Sequence, residues 1–508
     1  TPDPGPRTPN PMDAFVINGG RPLHGTLRIN GSKNASLPLM AAALLTHEPI
    51  TLRDVPDLSD IRNMARLLRS IGCEIEHPGG EPHALKLHVT DEGPSTAEYD
   101  IVRTMRAGIC VLGPLLAKRG HARVSMPGGC AIGDRPVDLH LRGLEKLGAR
   151  IDLDGGYITA EGPAGPGSRL RGSHIFLGGP NGSTVLGTAN VMSAATLAEG
   201  STVIEAAACE PEIEDLATLL RRMGARIRGA GTPRVIIDGV PELKGADQPV
   251  MPDRIVAGTY VIAAAITNGQ VTLENFPTAA LTAAIDRLHA IGIDVVGAGR
   301  SEEREARSGE GGAKGGEVSQ LHAATEALPS GGDEAAGTPS AGTPRSPLTA
   351  HRLPTDHHLT LAPPPETVTV RTQRRLAPVH IVTQPHPGFP TDLQAQFMAL
   401  LALADGNSIV TEKIFPDRFL HVAELLRMGA DLTRSGPTVL VSGVKQLVGA
   451  PVMASDLRAS AGLVLAALAA HGETLINRVY HLDRGYESME RELQHIGAHI
   501  ERLDRPSV

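Results

Sequence analysis

Apolar residues recur along the chain with a helical period in short stretches, and the stretches themselves repeat. The pattern Leu-x-x-(Ile/Leu/Met)-Gly-x-x-(Ile/Val/Leu) occurs six times, at Leu68–Gly72, Leu144–Gly148, Leu220–Gly224, Leu288–Gly292, Leu425–Gly429 and Leu493–Gly497. Each copy reads as the last turn of an amphipathic helix, a glycine at the C′ position where left-handed backbone is needed, and the start of a strand. In phase with it run small, mostly apolar stretches: Leu37–Leu45, Ala189–Leu197, Val256–Ile266, Phe397–Ala404 and Ala459–Ala470. Helices of that composition let backbones approach closely and are predicted to lie inside, covered by sheets. Strand-forming runs follow, as in Gly200–Ile204, Gly269–Leu273 and Gly472–Ile476. The predicted unit is helix, strand, amphipathic helix, strand, with further short strands.

The six repeat glycines are spaced by 76, 76, 68, 137 and 68 residues, which is what a six-fold repeat with one insertion gives. Six such units predict an α/β chain, most simply two domains of three units each. An open solenoid would show shorter repeats, of about 20–50 residues. The extra length falls at residues 299–366, which are rich in Gly, Ser, Glu, Ala, Pro and Thr and poor in periodic apolar residues. Such a segment cannot bury enough surface to offset the entropy of ordering, so a disordered insertion is expected there. It fits either a solvated loop without a role or a regulatory segment. Residues 1–12 are Pro-rich without the charged and apolar regions of a signal peptide, and are expected to be a disordered leader. Folded structure is expected from about Phe15.

Composition narrows the partners. The 508 residues carry a net charge of −8, with a pI near 6.2, and no block of Lys and Arg forms an electrostatic footprint for nucleic acid. Aromatic residues are only 2% of the chain and Trp is absent, so the cores must be aliphatic. The four cysteines, Cys73, Cys110, Cys130 and Cys209, lie far apart without a CxxC pair. That usage suits a reducing cytoplasm and carries no metal signal. The apolar run Leu463–Ala470 is too short to span a membrane.

One stretch concentrates candidate chemistry: Ser125-Met-Pro-Gly-Gly-Cys-Ala-Ile-Gly-Asp-Arg-Pro-Val-Asp-Leu-His140. Its glycines and prolines predict an exposed loop that turns helical near Val137. Cys130 sits in mid-loop after two glycines whose amides can turn toward an anion, with Arg135 and Asp138 close behind. The thiol fits a catalytic role or a chance surface position. Lys33 and Asn34 open the helix at Leu37–Leu45, where the dipole already favours an anion, so a lysine there points to a ligand more than to a cap. Arg106 precedes an apolar run and suits a structural salt bridge or a ligand contact. In Phe389–Gln396, Thr391 is a ready N-cap and Asp392 suits the first turn. Asp392 could equally face a cleft as a general base, with His386 close by. Arg418, Arg458 and Arg484 each follow an aspartate in a turn; singly these are surface pairs, but with Lys33, Arg106 and Arg135 they suggest a cationic cluster for a polyanion. No GxxxxGK[ST] or strand-borne GxGxxG is present.

The Cys130 loop, the Gly31-Ser-Lys-Asn34 turn, Phe389–Gln396, Asp456-Leu-Arg-Ala-Ser460 and Asp483-Arg-Gly-Tyr-Glu487 occur here in one order. In that combination, from about Met12 to Arg502 apart from the insertion, the chain closely resembles the enolpyruvyl transferase family, in the branch whose acceptor is UDP-N-acetylglucosamine. The resemblance implies a two-domain α/β fold of six βαβαββ-type units, three per domain, with internal helices wrapped by sheets. It implies a domain cut in which residues 13–31 join 253–508, while 32–252 form the first domain and carry the Cys130 loop as a lid. It further implies transfer of the enolpyruvyl group of phosphoenolpyruvate to the sugar 3′-hydroxyl through a tetrahedral intermediate with loss of phosphate. That is the first committed step of peptidoglycan precursor synthesis, in the cytoplasm, without metal or organic cofactor.

Carried over residue by residue, the resemblance makes Cys130 the proton donor to the methylene carbon, able also to bond phosphoenolpyruvate. Asp392 would handle the hydroxyl proton. Lys33, Asn34, Arg135 and Arg484 would hold phosphoenolpyruvate. Arg106 and the run Arg135, Pro136, Val137, Asp138, Leu139 would hold the sugar nucleotide, with Ile414 lining the site and Arg418 and Arg458 completing the charge. The sequence departs from the pattern at Gly182–Gly187, where the family usually reads near Ser-Val-Gly-Ala, and at Ser59, where a basic residue is common. The nearest rival, an enolpyruvylshikimate-phosphate synthase, lacks a lid cysteine of this kind. A silent paralogue serving as a binding module is opposed by the presence of Cys130, Asp392, Lys33 and Arg484 together.

Overall fold

The computed structural model describes residues 13–127, 137–165, 167–297, 366–372 and 375–503, all within one compact unit. The expected leader, the expected insertion up to residue 365, and Cys130, Arg135 and Pro136 lie outside the described residues.

The helical periodicity resolves into twelve main helices that alternate in kind. They are α1 (Lys33–Ala42), α2 (Ser59–Ser70), α3 (Leu112–Arg119), α4 (Asp138–Lys146), α5 (Val185–Ala195) and α6 (Pro211–Arg222). Then come α7 (Arg254–Ile266), α8 (Thr282–Ile291), α9 (Gln394–Leu401), α10 (Leu420–Arg427), α11 (Leu457–Ala469) and α12 (Met489–His495). The odd-numbered helices are the small apolar ones and are buried along most of their length, α11 from Leu457 to Leu468. The even-numbered helices are amphipathic and end at the six repeat glycines, whose φ values run from +84° to +105°. Only glycine takes that conformation without strain, which explains why the pattern is anchored there. One inner helix, α3, was visible in the sequence only as an apolar run after Arg106. Close approach is literal inside: a Cβ on Gly113 of α3 would lie 2.3 Å from the Asn190 carbonyl of α5, and one on Gly462 of α11 would lie 2.9 Å from the Ala395 carbonyl of α9.

Six four-stranded sheets cover these helices, all built in the same order. In the third, for example, strand Ser201–Glu205 follows the inner helix and pairs antiparallel with Arg234–Asp238. That strand pairs with Arg226–Arg228, which follows the outer helix, and His174–Phe176 pairs parallel on the other side. The N-terminal segment supplies strands to two sheets whose other strands come from segments far apart in sequence. Ala14–Asn18 pairs with Glu473–Asn477 and His499–Leu503, and His24–Arg28 pairs parallel with Gln270–Phe276. The segment expected to be an insertion joins two strands of one antiparallel pair, Ile293–Gly297 and Glu366–Thr372.

Buried apolar residues form two cores. One is drawn from Ala35 to Val250, the other from Phe15–Ile29 together with Ile255–Ile500. Each fully buried leucine contributes about 2 kcal/mol by leaving water. The chain passes between the cores twice, side by side: Ser32 N donates to the Met251 carbonyl at 2.7 Å and Asp253 N to the Asn30 carbonyl at 2.9 Å. Among the described residues no helix is long and apolar enough to cross a membrane.

Candidate active site

Three inner helices, α1, α7 and α11, carry a buried cation in the first turn, and all three cations act on Asp392. Lys33 opens α1 behind the Ser32 cap, whose Oγ accepts Ala35 N at 3.3 Å. Arg254 opens α7 behind Asp253, whose Oδ1 accepts Ile255 N at 2.9 Å and Val256 N at 3.0 Å. Arg458 is the second residue of α11 behind Asp456, whose Oδ1 accepts Arg458 N at 2.9 Å. A cation at a helix N-terminus opposes the dipole, and burial removes its water, so each requires an anion. Three carboxylates answer. Asp60 Oδ2 lies 3.4 Å from Lys33 Nζ, Glu212 binds Arg254 through both oxygens at 2.9 and 3.3 Å, and Asp392 Oδ2 lies 3.4 Å from Arg458 Nε.

Asp392 is the centre of this arrangement. It sits in the turn Thr391–Leu393 ahead of α9, with Oδ1 accepting from Arg418 Nη1 at 2.7 Å. Its side chain is 28% exposed, against 7% and 3% for Arg418 and Arg458. Burial alone would raise its pKa, but Arg418, Arg458 and Lys33 together hold the carboxyl well below the usual range. For Lys33, burial is the largest influence and lowers its pKa; Asp60 and Asp392 oppose that, and Arg458 and Arg484 reinforce it. Arg484 reaches the other oxygen of Asp60 at 3.1 Å. Lys33, Asp392, Arg418, Arg458 and Arg484, separate in sequence, are therefore one electrostatic neighbourhood.

Several local expectations change. Thr391 is not a helix cap: Pro390 holds that position without a side-chain bond, and the Thr391 hydroxyl donates to Glu412 Oε2 at 2.8 Å while accepting from Arg418. The aspartates preceding Arg418 and Arg484 pair elsewhere, Asp417 with Arg434 and Asp483 with Arg502. His386 donates its backbone N–H to Glu210 Oε1 at 3.4 Å. Its ring pKa is lowered by burial and by Arg254, with Glu212 opposing.

The sugar-nucleotide candidates form a second patch. Val137 is buried ahead of α4, Asp138 is exposed, and Leu139 is half-buried. A Cβ on Gly179 would meet Leu139 Cδ1 at 3.1 Å. The adjoining Pro180–Gly182 turn lines an open cleft of about 610 Å³ with Gln384, Glu412, Lys413 and Ile414. Asn34 is half-buried at the second position of α1, and Arg106 opens a short 3₁₀ helix ending at Val111. The described cysteines are poor nucleophiles: burial pushes Cys73 up to about 11 and Cys110 up to about 12, and raises Cys209. No group of three or more His, Cys, Asp or Glu among the described residues could hold a metal.

The sequence reading missed Asp60, Glu212, Arg254 and Glu412. Arg254 had a signal, since Asp253-Arg254 repeats the acidic cap and cation of Asp456-Leu-Arg458. Asp60 and Glu412 had none, because their partners are remote in sequence.

Six sheet-covered helix pairs in two cores, with cations on converging inner helices, are the architecture of the enolpyruvyl transferases. The chain belongs to the family described as EPSP synthase (3-phosphoshikimate 1-carboxyvinyltransferase), which matches residues 17–331 and 358–493. Within it the chain is similar to UDP-N-acetylglucosamine 1-carboxyvinyltransferases: 48% identical to that of Dinoroseobacter shibae over 97% of this chain and 99% of the relative. It is 46% identical to that of Oleidesulfovibrio alaskensis over 97% of this chain and all of the relative. Among solved structures, the enolpyruvyl transferase NikO from Streptomyces tendae superposes with a TM-score of 0.76 at 21% identity, covering 98% of this chain and 100% of that one. An EPSP synthase from Acinetobacter baumannii gives 0.69 at 18%, covering 97% and 100%. Those two likenesses speak to the fold.

Proposed function

We propose that this chain transfers the enolpyruvyl group of phosphoenolpyruvate to the 3′-hydroxyl of UDP-N-acetylglucosamine, releasing phosphate, as the first committed step of peptidoglycan precursor synthesis in the cytoplasm. The observation that carries the reading is Asp392, a part-exposed carboxylate held between two buried arginines with Lys33 in electrostatic reach. The converging helix N-termini and their cations form a field for the phosphate and carboxylate of phosphoenolpyruvate, with Lys33, Asn34, Arg135 and Arg484 as its ligands. The Pro180–Gly182 turn and Ile414 line the cleft that takes the sugar nucleotide, with Arg106, Arg135, Pro136 and Val137–Leu139 as its further ligands.

Arg418 and Arg458 stabilise the charged form of Asp392 and so weaken it as a base. Bound substrate anions share those arginines and raise its pKa toward a useful value. Asp392 then accepts the 3′-hydroxyl proton as that oxygen attacks the carbon bearing phosphate, while Cys130 delivers a proton to the methylene. The cations stabilise the tetrahedral intermediate, and loss of a methyl proton with departure of phosphate restores the double bond. The two cores serve as two domains, 32–252 and 13–31 with 253–508, joined at the paired crossings. A net charge of −8 fits small anionic substrates held locally and no nucleic-acid partner.

The test is phosphate release from phosphoenolpyruvate by the purified chain. Release that requires UDP-N-acetylglucosamine is the expected result. Release with shikimate 3-phosphate in its place would overturn the assignment of the acceptor.

A further inference from the structure

Behind the site lies a buried carboxylate with no role so far. Glu412 is fully buried, and among the described residues no cation pairs with it. Every neighbour treats it as an acceptor: Oε1 takes Thr383 Oγ1 at 2.6 Å, Ile414 N at 2.8 Å and Phe415 N at 3.0 Å, and Oε2 takes Thr391 Oγ1 at 2.8 Å. Burying a carboxylate without a counter-ion is costly, and hydrogen bonds offset the cost without explaining the choice. A neutral side chain could anchor the turn.

What distinguishes Glu412 is where its two oxygens lead. Through Oε2 it accepts from Thr391, whose oxygen accepts in turn from Arg418 Nη1 at 2.9 Å, and the same Nη1 donates to Asp392 at 2.7 Å. The carboxylate fixes the direction of that relay. With the Thr391 proton committed to Glu412, its oxygen is free to receive Arg418, and Arg418 is aimed at Asp392. Through Oε1 Glu412 holds the two amides of the turn that presents Ile414 to the cleft. We propose that Glu412 is a positioning residue for enolpyruvyl transfer, setting the Asp392–Arg418 pair and the Ile414 turn in register through one buried group. The inference rests on the function proposed above and adds to it a residue that acts through Thr391, Arg418 and the Ile414 turn.

Glu412→Gln tests it in the full-length chain. An amide nitrogen facing Thr391 would donate to the hydroxyl, leave the Thr391 proton without an acceptor, and crowd Arg418 on the same oxygen. The expected result is a folded variant with kcat lower by about 10²-fold, the scale of a misplaced catalytic group, and KM for both substrates within about threefold. Thr391→Val is expected to lose a similar factor, and Thr391→Ser to recover most of it. The double variant Glu412→Gln/Thr391→Val should fall no further than either single one, because both cut one relay. A kcat unchanged in Glu412→Gln, or losses that multiply in the double variant, would overturn the proposal. If the unsubstituted chain releases no phosphate, it is the proposed function that fails. The positioning claim is then decided by the crystal structure of Glu412→Gln: loss of the Arg418–Asp392 contact upholds it, and an unchanged contact overturns it.

Discussion

Two aspartates stand near the same cations and are held in opposite ways. Asp392 takes both its partners, Arg418 and Arg458, from its own core, and its side chain remains 28% exposed. Asp60 is 4% exposed and takes one partner from each side, Lys33 beside the first core and Arg484 beside the second. The first is thus held by direct contacts from its own core, with Lys33 adding to its field from beside the other. The second joins them, and its partners are cations assigned to phosphoenolpyruvate. A charge that opens to the cleft suits chemistry; one sealed between halves suits geometry.

The largest effect is expected at Asp392. Asp392→Asn keeps the shape and removes the base, so kcat for phosphate release should fall by about 10²–10⁴-fold, the range for a lost general base. KM should move little, since the neighbouring cations stay in place. A loss smaller than about tenfold at saturating substrates would reduce Asp392 to a counter-ion for Arg418.

That contrast also marks what the chain made legible. The six Leu-x-x-x-Gly turns and the apolar stretches encode local structure, so the inner and outer helices could be read with no partner in view. The Lys33 turn, Asp392 and the arginines were readable because short motifs carry them. Pairings were not. Asp417 precedes Arg418 yet bonds Arg434, and Asp483 precedes Arg484 yet bonds Arg502. Adjacent residues on a turn diverge, and the partner is chosen by packing between elements far apart in sequence. Thr391 departs from its expected role for the same reason: its N-cap chemistry is visible in the sequence, but the nearby Glu412 and Arg418 that recruit its hydroxyl are not. His386 shows the limit again, since its neighbours Glu210 and Arg254 come from both cores.

A smaller effect is expected where the cores join. Asp60→Asn leaves Lys33 and Arg484 without their shared anion. Breaking a buried pair by removing one partner costs about 3 kcal/mol at the lower end of the usual range, and that end applies because Arg484 is 37% exposed. The functional sign follows from Lys33. Asp60 is the strongest influence keeping its ammonium charged against burial, so the variant should lose that charge at lower pH. The high-pH limb of kcat/KM for phosphoenolpyruvate should move down, while kcat for bound substrates changes less than in Asp392→Asn. A limb that stays in place would show that Asp60 acts on stability alone.

The smallest effect is expected at a third aspartate, one that no cation contacts directly among the described residues. Asp215 accepts Gln248 Nε2 at 2.8 Å and Met251 N at 3.1 Å, on the strand and turn that lead into the crossing between cores. Burial pushes its pKa up to about 7, with Glu212 adding to the rise and Met251 N, Gln248 and Arg222 opposing it. In the unfolded chain the same group titrates at about 4. Between those values the folded protein holds a proton that the unfolded chain has released, so stability is highest below the window and is lost as pH rises through it. For Asp392 the order is reversed: its folded pKa is depressed, and its contribution is lost only in acid. Asp215→Asn cannot titrate, so denaturant unfolding at pH 5 and pH 7 should show the variant losing roughly 2 kcal/mol less than the unsubstituted chain over that interval. Equal losses in both would mean that the Asp215 carboxyl titrates alike in the folded and unfolded chain, and that the crossing between cores holds no protonated carboxyl near neutral pH.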